Sequence, residues 1–378
     1  MWGKERIEHP IAWQDAVREV SEEAQDGIST AELQEMLITH FLRKGTWANN
    51  RMAGILYAPT QHKKIFPNGI PTVKDLHVEL AKRDLMRELK YSDEEYAEIE
   101  KLVDHDHDFN YAHFQIKHII QKYSLVDHDT KQRFETPQFT YIRMAMALSE
   151  DIVPAERRMT FVKDYYELFS DNVLNAPTPN YIYLGTKLNG LVSCCLITNK
   201  DTIKSLSAFN YIAYRVTAIG AGVGGLLRSR NHGEKVRGGA ILHNGKLPYF
   251  KAVAGDVKAN MQSGRAGAFT GYYNIFDAEA NQIAQLQNPR TPPNRRNRDM
   301  HFAVQYHSLF MKKAALDEEV FIFSCKTAPD LFEAFYGSDR KAFADLYEKY
   351  ENDPSFKKTY ISARDLLVVC EQQSREVG

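Results

Sequence analysis

A change of pattern near Pro177 constrains the fold of this chain more than any other feature of its sequence. Before Pro177, apolar residues recur every three to four positions over long stretches, which is the spacing of amphipathic helices. After it, short β-type runs alternate with helical stretches, an alternation typical of α/β folds with partly parallel strands. The sequence therefore predicts an α/β protein in which a mainly helical N-terminal region precedes the sheet.

The predicted elements follow from this periodicity and from signals at their ends. Thr30 is a candidate cap for the second helix, and Thr136 followed by Pro137 signals the start of another. The predicted helices span residues 11–24, 30–42, 73–89, 154–169, 201–217 and 248–261. The predicted strands span residues 181–184, 191–198, 268–273 and 320–324. Pro67 and Pro71 mark the expected boundary inside the helical region.

The charge balance argues against several classes of function. The 48 Lys and Arg residues nearly equal the 49 Asp and Glu residues, so no net field favours a nucleic-acid backbone or an anionic membrane. No apolar run reaches the length of a transmembrane helix. Four cysteines without regular spacing, and no N-terminal signal with an apolar core, favour a reducing cytoplasm. We therefore expect a cytoplasmic protein that binds any phosphate through local contacts.

The apolar segment 190–197 contains two adjacent cysteines, Cys194 and Cys195. Neighbouring side chains of a strand point to opposite faces, so only one of these thiols can enter a given site, and a disulfide between them would be strained. Buried cysteine commonly serves as a small hydrophobe, which is the preferred interpretation for Cys195, Cys325 and Cys370. Cys194, among small and polar neighbours, is the candidate functional thiol.

The glycine-rich segment 219–225 resembles a dinucleotide-binding fingerprint only superficially. It follows a helical pattern rather than a strand, and no acidic residue stands about twenty positions later to bind a ribose. Its glycines would allow a ligand to approach the backbone closely, and free N–H groups there could bind an anion. The hydroxyls of Thr178 and Ser193 suit the same purpose. Charge-assisted hydrogen bonds of about 1.5–3 kcal/mol each would hold a diphosphate without a nearby lysine.

Two further segments have competing interpretations. The run 104–108 alternates aspartate with histidine, which suits a divalent cation, but an EF-hand loop needs glycine where this chain has Phe109. A polar helix junction whose carboxylates cap or pair locally is the preferred interpretation, and no metal site is predicted. The segment 262–268, with Arg265 between small residues, is either a turn or a movable loop near the cysteine segment.

Six short segments stand in a characteristic order along the chain. They are Glu135-Thr136-Pro137-Gln138-Phe139, Pro177-Thr178-Pro179, Ser193-Cys194, Ala221-Gly222-Val223-Gly224, Arg237-Gly238-Gly239 and the loop 262–268. This order resembles the large subunit of class I ribonucleotide reductase. The similarity runs from about Thr30 to the last residue, and the run 104–108 also matches a family motif.

The resemblance implies a ten-stranded α/β barrel that reduces ribonucleoside diphosphates to deoxyribonucleoside diphosphates. In that family a thiyl radical on a loop cysteine removes the ribose 3′ hydrogen, and two further cysteines reduce the 2′ position. Cys194 matches the first cysteine of the reducing pair, so it is expected to donate electrons rather than carry the radical. Thr178, Ser193 and Gly222 match positions that hold the substrate diphosphate.

The resemblance also implies allosteric control by ATP and deoxynucleoside triphosphates. The positions that match the effector site are Asp201, Thr202, Ile203 and Arg230. Gln262 and Arg265 lie in the loop that matches the specificity loop, where Arg265 would relay the identity of the effector to the substrate. The helices predicted at 201–217 and 248–261 match those through which two large subunits pair, so self-dimerisation is expected.

Several family features have no counterpart in this sequence. The radical cysteine and its asparagine and glutamate partners, the other reducing cysteine and the C-terminal thiol tail are absent, and neither Cys325 nor Cys370 falls at those places. We therefore expect the N-terminal part of a split large subunit, completed by a C-terminal polypeptide. No cofactor is expected on this chain, because the radical would come from the metal cofactor of a small subunit, and a thioredoxin or glutaredoxin system would restore the thiols.

The expected organisation has three parts. Residues 1–68 form a partial ATP-cone-like helical region, 69–176 a helical N-terminal domain, and 177–378 the first half of the barrel. Two alternatives remain: the chain is a non-catalytic nucleotide-binding or assembly fragment of a reductase, or it is a shortened piece of a longer polypeptide.

Overall fold

The computed structural model describes residues 11–188, 190–260 and 267–377. The chain forms two compact units, Met1–Leu191 and Val192–Gly378. The expected domain limits at residues 68 and 176 stay predictions. Among the described residues, no helix combines the length and the apolar character needed to cross a membrane.

The first unit is mainly helical, as the periodicity predicts. Its described helices are α1 (Trp13–Glu23), α2 (Thr30–Arg43), α3 (Trp47–Ile65), α4 (Val73–Lys82), α5 (Asp93–Leu102), α6 (His113–Lys122), α7 (Pro137–Ser149), α8 (Ala155–Ser170) and α9 (Thr178–Tyr183). Apolar side chains from α1 through α9 contribute to one hydrophobic core. Helix α7 lies at its centre, since most of its residues are buried.

Three local predictions in this unit were wrong. Ser29, not Thr30, caps α2: its hydroxyl accepts a hydrogen bond from the Glu32 N–H at 3.2 Å, and the Glu32 carboxylate accepts one from the Ser29 N–H at 2.9 Å. Helix α4 ends at Lys82 rather than Leu89, because the backbone soon turns left-handed at Asp84. Residues 181–183 of the predicted strand 181–184 belong to helix α9, and Leu184 follows the helix; short apolar runs do not distinguish a helix from a strand.

The aspartate–histidine run forms a polar junction, which confirms the structural interpretation. Asp104 accepts a hydrogen bond from the Asp106 N–H at 3.0 Å and so caps the short 3-10 helix His105–Asn110. Asp108 is fully buried, with one oxygen 2.8 Å from His62 Nε2 and the other accepting from Gln138 Nε2 at 3.1 Å. The described residues contain no group of three or more His, Cys, Asp or Glu side chains that could hold a metal ion.

A buried histidine of α4 should make the protein sensitive to acid. Burial lowers the pKa of His77 to about 3, and the charge of Arg143 acts in the same direction. Below the unfolded pKa of about 6.5, the unfolded chain takes up a proton that the folded chain does not. Stability should therefore fall by about 2 kcal/mol between pH 7 and pH 5 on account of this residue, and further towards pH 3.

Urea unfolding at both pH values tests this expectation with His77→Gln, which keeps a polar partner for Tyr96 but does not titrate. The variant should lose less stability on acidification than the wild type. His128→Gln, at an exposed histidine, is the control for the chemical change. Equal acid sensitivity of the wild type and His77→Gln would contradict the prediction.

The second unit alternates strands and helices. Its described elements are β1 (Cys194–Thr198), α10 (Ile203–Ala218), β2 (Gly222–Leu226), β3 (Lys235–Val236), β4 (Ile241–Leu242), α11 (Leu247–Ala259), β5 (Phe269–Asn274), α12 (Ala280–Ala284), β6 (His301–Gln305), α13 (Ser308–Ala315), β7 (Glu319–Ile322), α14 (Pro329–Tyr336), α15 (Arg340–Asn352), β8 (Thr359–Ser362) and α16 (Ala363–Val377). The main sheet is parallel with the order β1-β2-β5-β6, while β3-β4 and β7-β8 are antiparallel pairs. The predicted fold class is confirmed.

The two faces of the parallel sheet differ in their surroundings. One face packs on a core that includes Phe209, Phe250 and Phe269. On the opposite face, Cys194 is exposed and Leu196 of the same edge strand is 80% exposed. Parallel sheets are normally covered on both faces, so this open face is suited to a further layer of protein. The four described strands form an open sheet, and closure into a ten-stranded barrel stays an expectation.

Candidate functional site

Cys194 and Cys195 are the first two residues of β1. Their side chains point to opposite faces of the sheet, as the alternation of side chains along a strand predicts. Cys194 lies on the open face of the sheet, whereas Cys195 points to the opposite face and is half-buried. Cys194 Sγ lies 3.8 Å from Ser193 Oγ, so the predicted thiol and the preceding hydroxyl are adjacent. Cys194 is therefore accessible to a partner or ligand on the open face.

Gly222 lies directly opposite Cys194 in the parallel pair β1-β2. A Cβ atom at Gly222 would lie 3.7 Å from Cys194 Sγ and 3.8 Å from the Ser193 carbonyl oxygen. The absence of a side chain keeps the surface beside the thiol open, which supports the expected close approach of a ligand to the backbone.

The expectation of free N–H groups in the glycine segment was wrong. The segment does not form a loop but leads into the central strand β2, so its donors are used internally. The Gly222 N–H donates to the Ser193 carbonyl at 2.8 Å, and the Val223 N–H donates to the Ala268 carbonyl at 2.9 Å. The N–H groups of Gly220 and Ala221 donate to carbonyls at the end of α10. An anion at this place would need other donors, such as the Ser193 hydroxyl.

The remaining substrate candidate, Thr178, belongs to the first unit. It is the first residue of α9, and its hydroxyl lies 3.4 Å from the Tyr123 hydroxyl. Tyr123 also stacks on Tyr181 of α9, with ring centroids 4.4 Å apart. These contacts define the position of Thr178 within its unit. Its role in binding a diphosphate stays a prediction, as do those of Ser193 and Gly222.

The four predicted effector residues lie after the carboxyl ends of β1 and β2. Asp201 accepts a hydrogen bond from Arg230 Nε at 2.9 Å, although the two residues are 29 positions apart. The Thr202 hydroxyl caps α10 by accepting from the Ser205 N–H at 3.3 Å, and Ile203 is 75% exposed. A charged pair beside a helix N-terminus, at the carboxyl edge of a parallel sheet, is an arrangement suited to a phosphorylated ligand.

The predicted specificity loop, residues 262–268, lies mostly outside the described residues. Gln262 and Arg265 lie outside the described residues. The two flanking elements are described: α11 ends at Ala259 before the loop, and β5 begins at Phe269 after it.

The helices predicted to pair two subunits, α10 and α11, pack against each other within the chain. Asn210 Nδ2 donates to Asp256 Oδ2 at 2.9 Å, and Asn260 Nδ2 donates to the Tyr214 carbonyl at 2.9 Å. Helix α10 also exposes large apolar side chains, among them Tyr211 at 64%. These contacts hold α10 and α11 together as a helix pair. The pairing of these helices with a second subunit stays a prediction.

Sequence reasoning missed two sets of polar residues near the effector candidates. Asn199 is buried and joins the ends of β1 and β2, since its Oδ1 accepts from the Arg228 N–H at 3.0 Å and its Nδ2 donates to the Arg228 carbonyl at 2.6 Å. The position of Asn199 directly after an apolar strand was the one sequence signal that could have identified it. The second set surrounds Lys246, a fully buried lysine whose carboxylate partners lie more than 30 positions away.

The other two cysteines do not lie on the open face with Cys194. Cys325 Sγ donates to the Ser229 carbonyl at 3.4 Å, beyond the end of β2 that is remote from Gly222. Burial raises the pKa of Cys325 to about 11 and also raises that of Cys370, which packs in the core. All four cysteines are among the described residues and are free thiols. Cys195, Cys325 and Cys370 are therefore poorly placed to pair with Cys194.

Comparison with known proteins places both units in one family. Residues 109–189 match the family model described as ribonucleotide reductase, all-alpha domain, and residues 192–378 match ribonucleotide reductase, barrel domain. Together these matches cover most of the chain and reach from the first unit through the whole of the second. The all-alpha match agrees with the helical first unit, and the barrel match with the parallel sheet.

Relatives with known names agree with these matches. The chain is 29% identical to ribonucleoside-diphosphate reductase 1 subunit alpha of Escherichia coli (strain K12), over 93% of this chain and 47% of the relative. It is 32% identical to ribonucleoside-diphosphate reductase subunit alpha of Enterobacteria phage T4, over 74% of this chain and 37% of the relative. The chain spans about half the length of the curated relatives it matches. It belongs to the family of ribonucleotide reductase large subunits.

Proposed function

We propose that this chain contributes a redox thiol and nucleotide-binding sites to the reduction of ribonucleoside diphosphates. The observation that carries the proposal is the exposed thiol of Cys194, adjacent to the Ser193 hydroxyl and opposite the bare backbone of Gly222. In this arrangement a ribose could approach the sulfur while its diphosphate accepts a hydrogen bond from the Ser193 hydroxyl. Ser193, Gly222 and Thr178 are the proposed substrate-binding residues.

The chemistry requires a second thiol. Conversion of a ribose 2′ hydroxyl to hydrogen releases water and consumes two electrons and two protons, which two thiols supply when they become a disulfide. Cys195 points to the opposite face of the sheet, and neither Cys325 nor Cys370 lies on the face of Cys194. None of these three cysteines is therefore the partner of Cys194. We propose that a second polypeptide, bound over the open face, supplies it.

This second polypeptide is proposed to carry the radical cysteine and the rest of the barrel. The radical itself would come from the metal cofactor of a small subunit, and a thioredoxin or glutaredoxin system would reduce the disulfide after each turnover. The exposed thiol and Leu196, which is 80% exposed on the same edge strand, support a layer of protein over this face.

The regulatory part of the proposal rests on the pair formed by Asp201 and Arg230. Together with Thr202 and Ile203 they would bind a deoxynucleoside triphosphate or ATP at the carboxyl edge of the sheet. Gln262 and Arg265 would then adapt the substrate site to the bound effector. Helices α10 and α11 would supply the surface through which two such chains pair.

Reconstitution tests the proposed activity. The chain is mixed with a C-terminal large-subunit polypeptide that carries the missing motifs, with a radical-containing small subunit, and with thioredoxin, its reductase and NADPH. Formation of deoxyribonucleoside diphosphate that requires all components would support the proposal. Failure with several such C-terminal polypeptides, although a stable complex forms, would count against it.

The alternative function is binding without catalysis. The Asp201–Arg230 pair and the exposed apolar face of α10 do not depend on Cys194, so a fragment could retain effector binding and assembly alone. Equilibrium binding separates the alternatives. A chain that binds deoxynucleoside triphosphates but never gains activity with any partner would be a binding or assembly protein.

The Arg230→Gln variant should bind effector about 10- to 100-fold more weakly. Its guanidinium is fixed by Asp201 and by the Lys235 carbonyl at 3.2 Å, and a charge-assisted hydrogen bond to phosphate contributes roughly 1.5–3 kcal/mol. Equilibrium dialysis with dTTP measures the change. Arg295→Gln, at an exposed arginine between α12 and β6, is the control and should bind as the wild type does. Equal affinity of both variants would refute the assignment.

A further inference from the structure

A buried lysine immediately precedes helix α11. The side chain of Lys246 is 4% exposed, and its ammonium group donates to Asp277 Oδ1 at 2.9 Å and to Glu279 Oε2 at 3.3 Å. A third hydrogen bond reaches the side-chain oxygen of Asn231, which is also buried. All three donor positions of the ammonium are therefore used. Burial acts to lower the pKa of Lys246, but the two carboxylates outweigh this effect, so the pKa is raised.

These contacts join three segments of the second unit. Asn231 directly follows Arg230 in the segment that leaves β2, and Lys246 precedes the first residue of α11. Asp277 and Glu279 lie between β5 and α12. One ammonium group thus connects the proposed effector arm, defined as residues 228–236, with the start of α11 and with the segment after β5.

Backbone hydrogen bonds strengthen the same connection. Glu279 Oε1 accepts from the His232 N–H at 3.1 Å, and its Oε2 accepts from the Lys246 N–H at 3.1 Å. Within the arm, the Asn231 N–H donates to Glu234 Oε2 at 2.7 Å. Because all three charged groups of this buried cluster, Lys246, Asp277 and Glu279, have partners, the arm is held in one position relative to α11 and β5.

The location of the cluster suggests what it positions. Helix α11 leads into the proposed specificity loop, and β5 begins after that loop. A helix transmits a displacement of one end to the other as a rigid body, about 20 Å away for α11. A movement of Arg230 on effector binding would therefore reach both ends of the loop through Lys246.

We propose that Lys246 is a positioning residue that ties the effector arm to the two elements flanking the specificity loop. This inference rests on the proposed function, because it assumes that Arg230 binds a deoxynucleoside triphosphate. Lys246 does not touch the ligand; it holds Arg230 in the orientation for binding and couples that orientation to α11 and β5.

The test uses a double variant that removes the tie and leaves the net charge of the cluster unchanged. Lys246→Met alone would leave two buried carboxylates without a cation, which destabilises proteins strongly, so Asp277→Asn is combined with it. Glu279 then keeps the backbone N–H donors of His232 and of residue 246. In the full chain, Lys246→Met/Asp277→Asn should keep a melting temperature close to that of the wild type and bind dTTP about 10-fold more weakly. Asn231→Ala, which removes the contact to the arm but keeps the ion pairs, should weaken binding in the same direction.

A matched control lies on the same helix. Lys258 pairs with Asp299 on the surface, with both side chains more than half exposed. Lys258→Met/Asp299→Asn makes the same chemical changes in α11 and should bind dTTP as the wild type does. In the Arg230→Gln background, the Lys246 and Asp277 substitutions should cause little further loss, because they act through Arg230.

The outcomes separate this inference from the proposed function. Wild-type affinity for dTTP in both Lys246→Met/Asp277→Asn and Asn231→Ala would overturn the positioning role, as would an equal loss in the Lys258 control. An additive loss in the Arg230→Gln background would overturn the claim that Lys246 acts through Arg230. A wild-type chain that binds no deoxynucleoside triphosphate would overturn the effector site itself, and the inference with it.

Discussion

Replacing Cys194 with serine is expected to stop nucleotide reduction while the fold and the assembly remain intact. The thiol is exposed at the start of an edge strand, so exchanging sulfur for oxygen removes no core contact. The two electrons that reduce the ribose are released when two thiols become a disulfide, and a serine hydroxyl cannot take part in that oxidation. Turnover in the reconstituted enzyme should fall by at least about 10³-fold, as expected for loss of an essential reacting group.

The neighbouring cysteine supplies the control for this experiment. Cys195→Ser makes the same chemical change one position later, on the face of the strand that packs against the core. Its activity should stay close to that of the wild type. Size-exclusion chromatography of both variants with the C-terminal polypeptide should show unchanged complexes.

Detection of the disulfide formed during turnover tests the proposed chemistry directly. In a single turnover without a reducing system, non-reducing mass spectrometry of the wild-type assembly should show Cys194 linked to a cysteine of the other polypeptide. A fully active Cys194→Ser variant, or a disulfide that contains Cys195 instead, would remove Cys194 from the mechanism.

The assignment of Cys194 shows what the sequence could predict. The alternation of side chains along a strand is a local property, so the separation of Cys194 from Cys195 followed from their adjacency alone. The prediction for the glycine segment was wrong because such a local signal is missing there. Gly222, Gly224 and Gly225 have no side chains to show a period of two, and their role as the centre of a sheet appears only from their neighbours.

The sequence alone also could not predict contacts between residues that lie far apart along the chain. Asp201 and Arg230 were expected at one site only through the family resemblance. Their ion pair was not predicted, and it depends on the parallel pairing of β1 with β2. The Lys246 cluster was not predicted, because nothing in the local sequence distinguishes a buried lysine from a solvated one. Its partners come from segments that meet only when the sheet forms.

A second large effect is expected for Arg143, the largest fully buried side chain among the described residues of the first unit. Its guanidinium donates to Glu135 Oε1 at 2.6 Å and Oε2 at 3.1 Å, and both side chains are at most 1% exposed. It also donates to the carbonyls of Tyr181 and Leu184, at the end of α9. Arg143→Met leaves a buried carboxylate and two carbonyls without these donors.

The expected cost is about 3–5 kcal/mol of unfolding free energy, because removal of one partner leaves the other charge buried and unpaired. This corresponds to a melting temperature roughly 10 °C lower. Urea and thermal unfolding measure the change. Arg18→Met is the matched control, since Arg18 pairs with Asp15 at 3.1 Å on the surface and its loss should cost no more than about 0.5 kcal/mol.

A further substitution distinguishes an unpaired charge from simple loss of packing. Adding Glu135→Gln to Arg143→Met neutralises the stranded carboxylate and should recover part of the lost stability. If the double variant is no more stable than Arg143→Met, the cost comes from packing and from the α9 carbonyls. If Arg143→Met costs no more than Arg18→Met, the buried pair does not hold the first unit together. Arg143 also fixes the end of α9, and Thr178, a proposed substrate-binding residue, is the first residue of that helix. If Thr178 has this role, the same variant should bind substrate more weakly in the reconstituted enzyme under conditions where it remains folded.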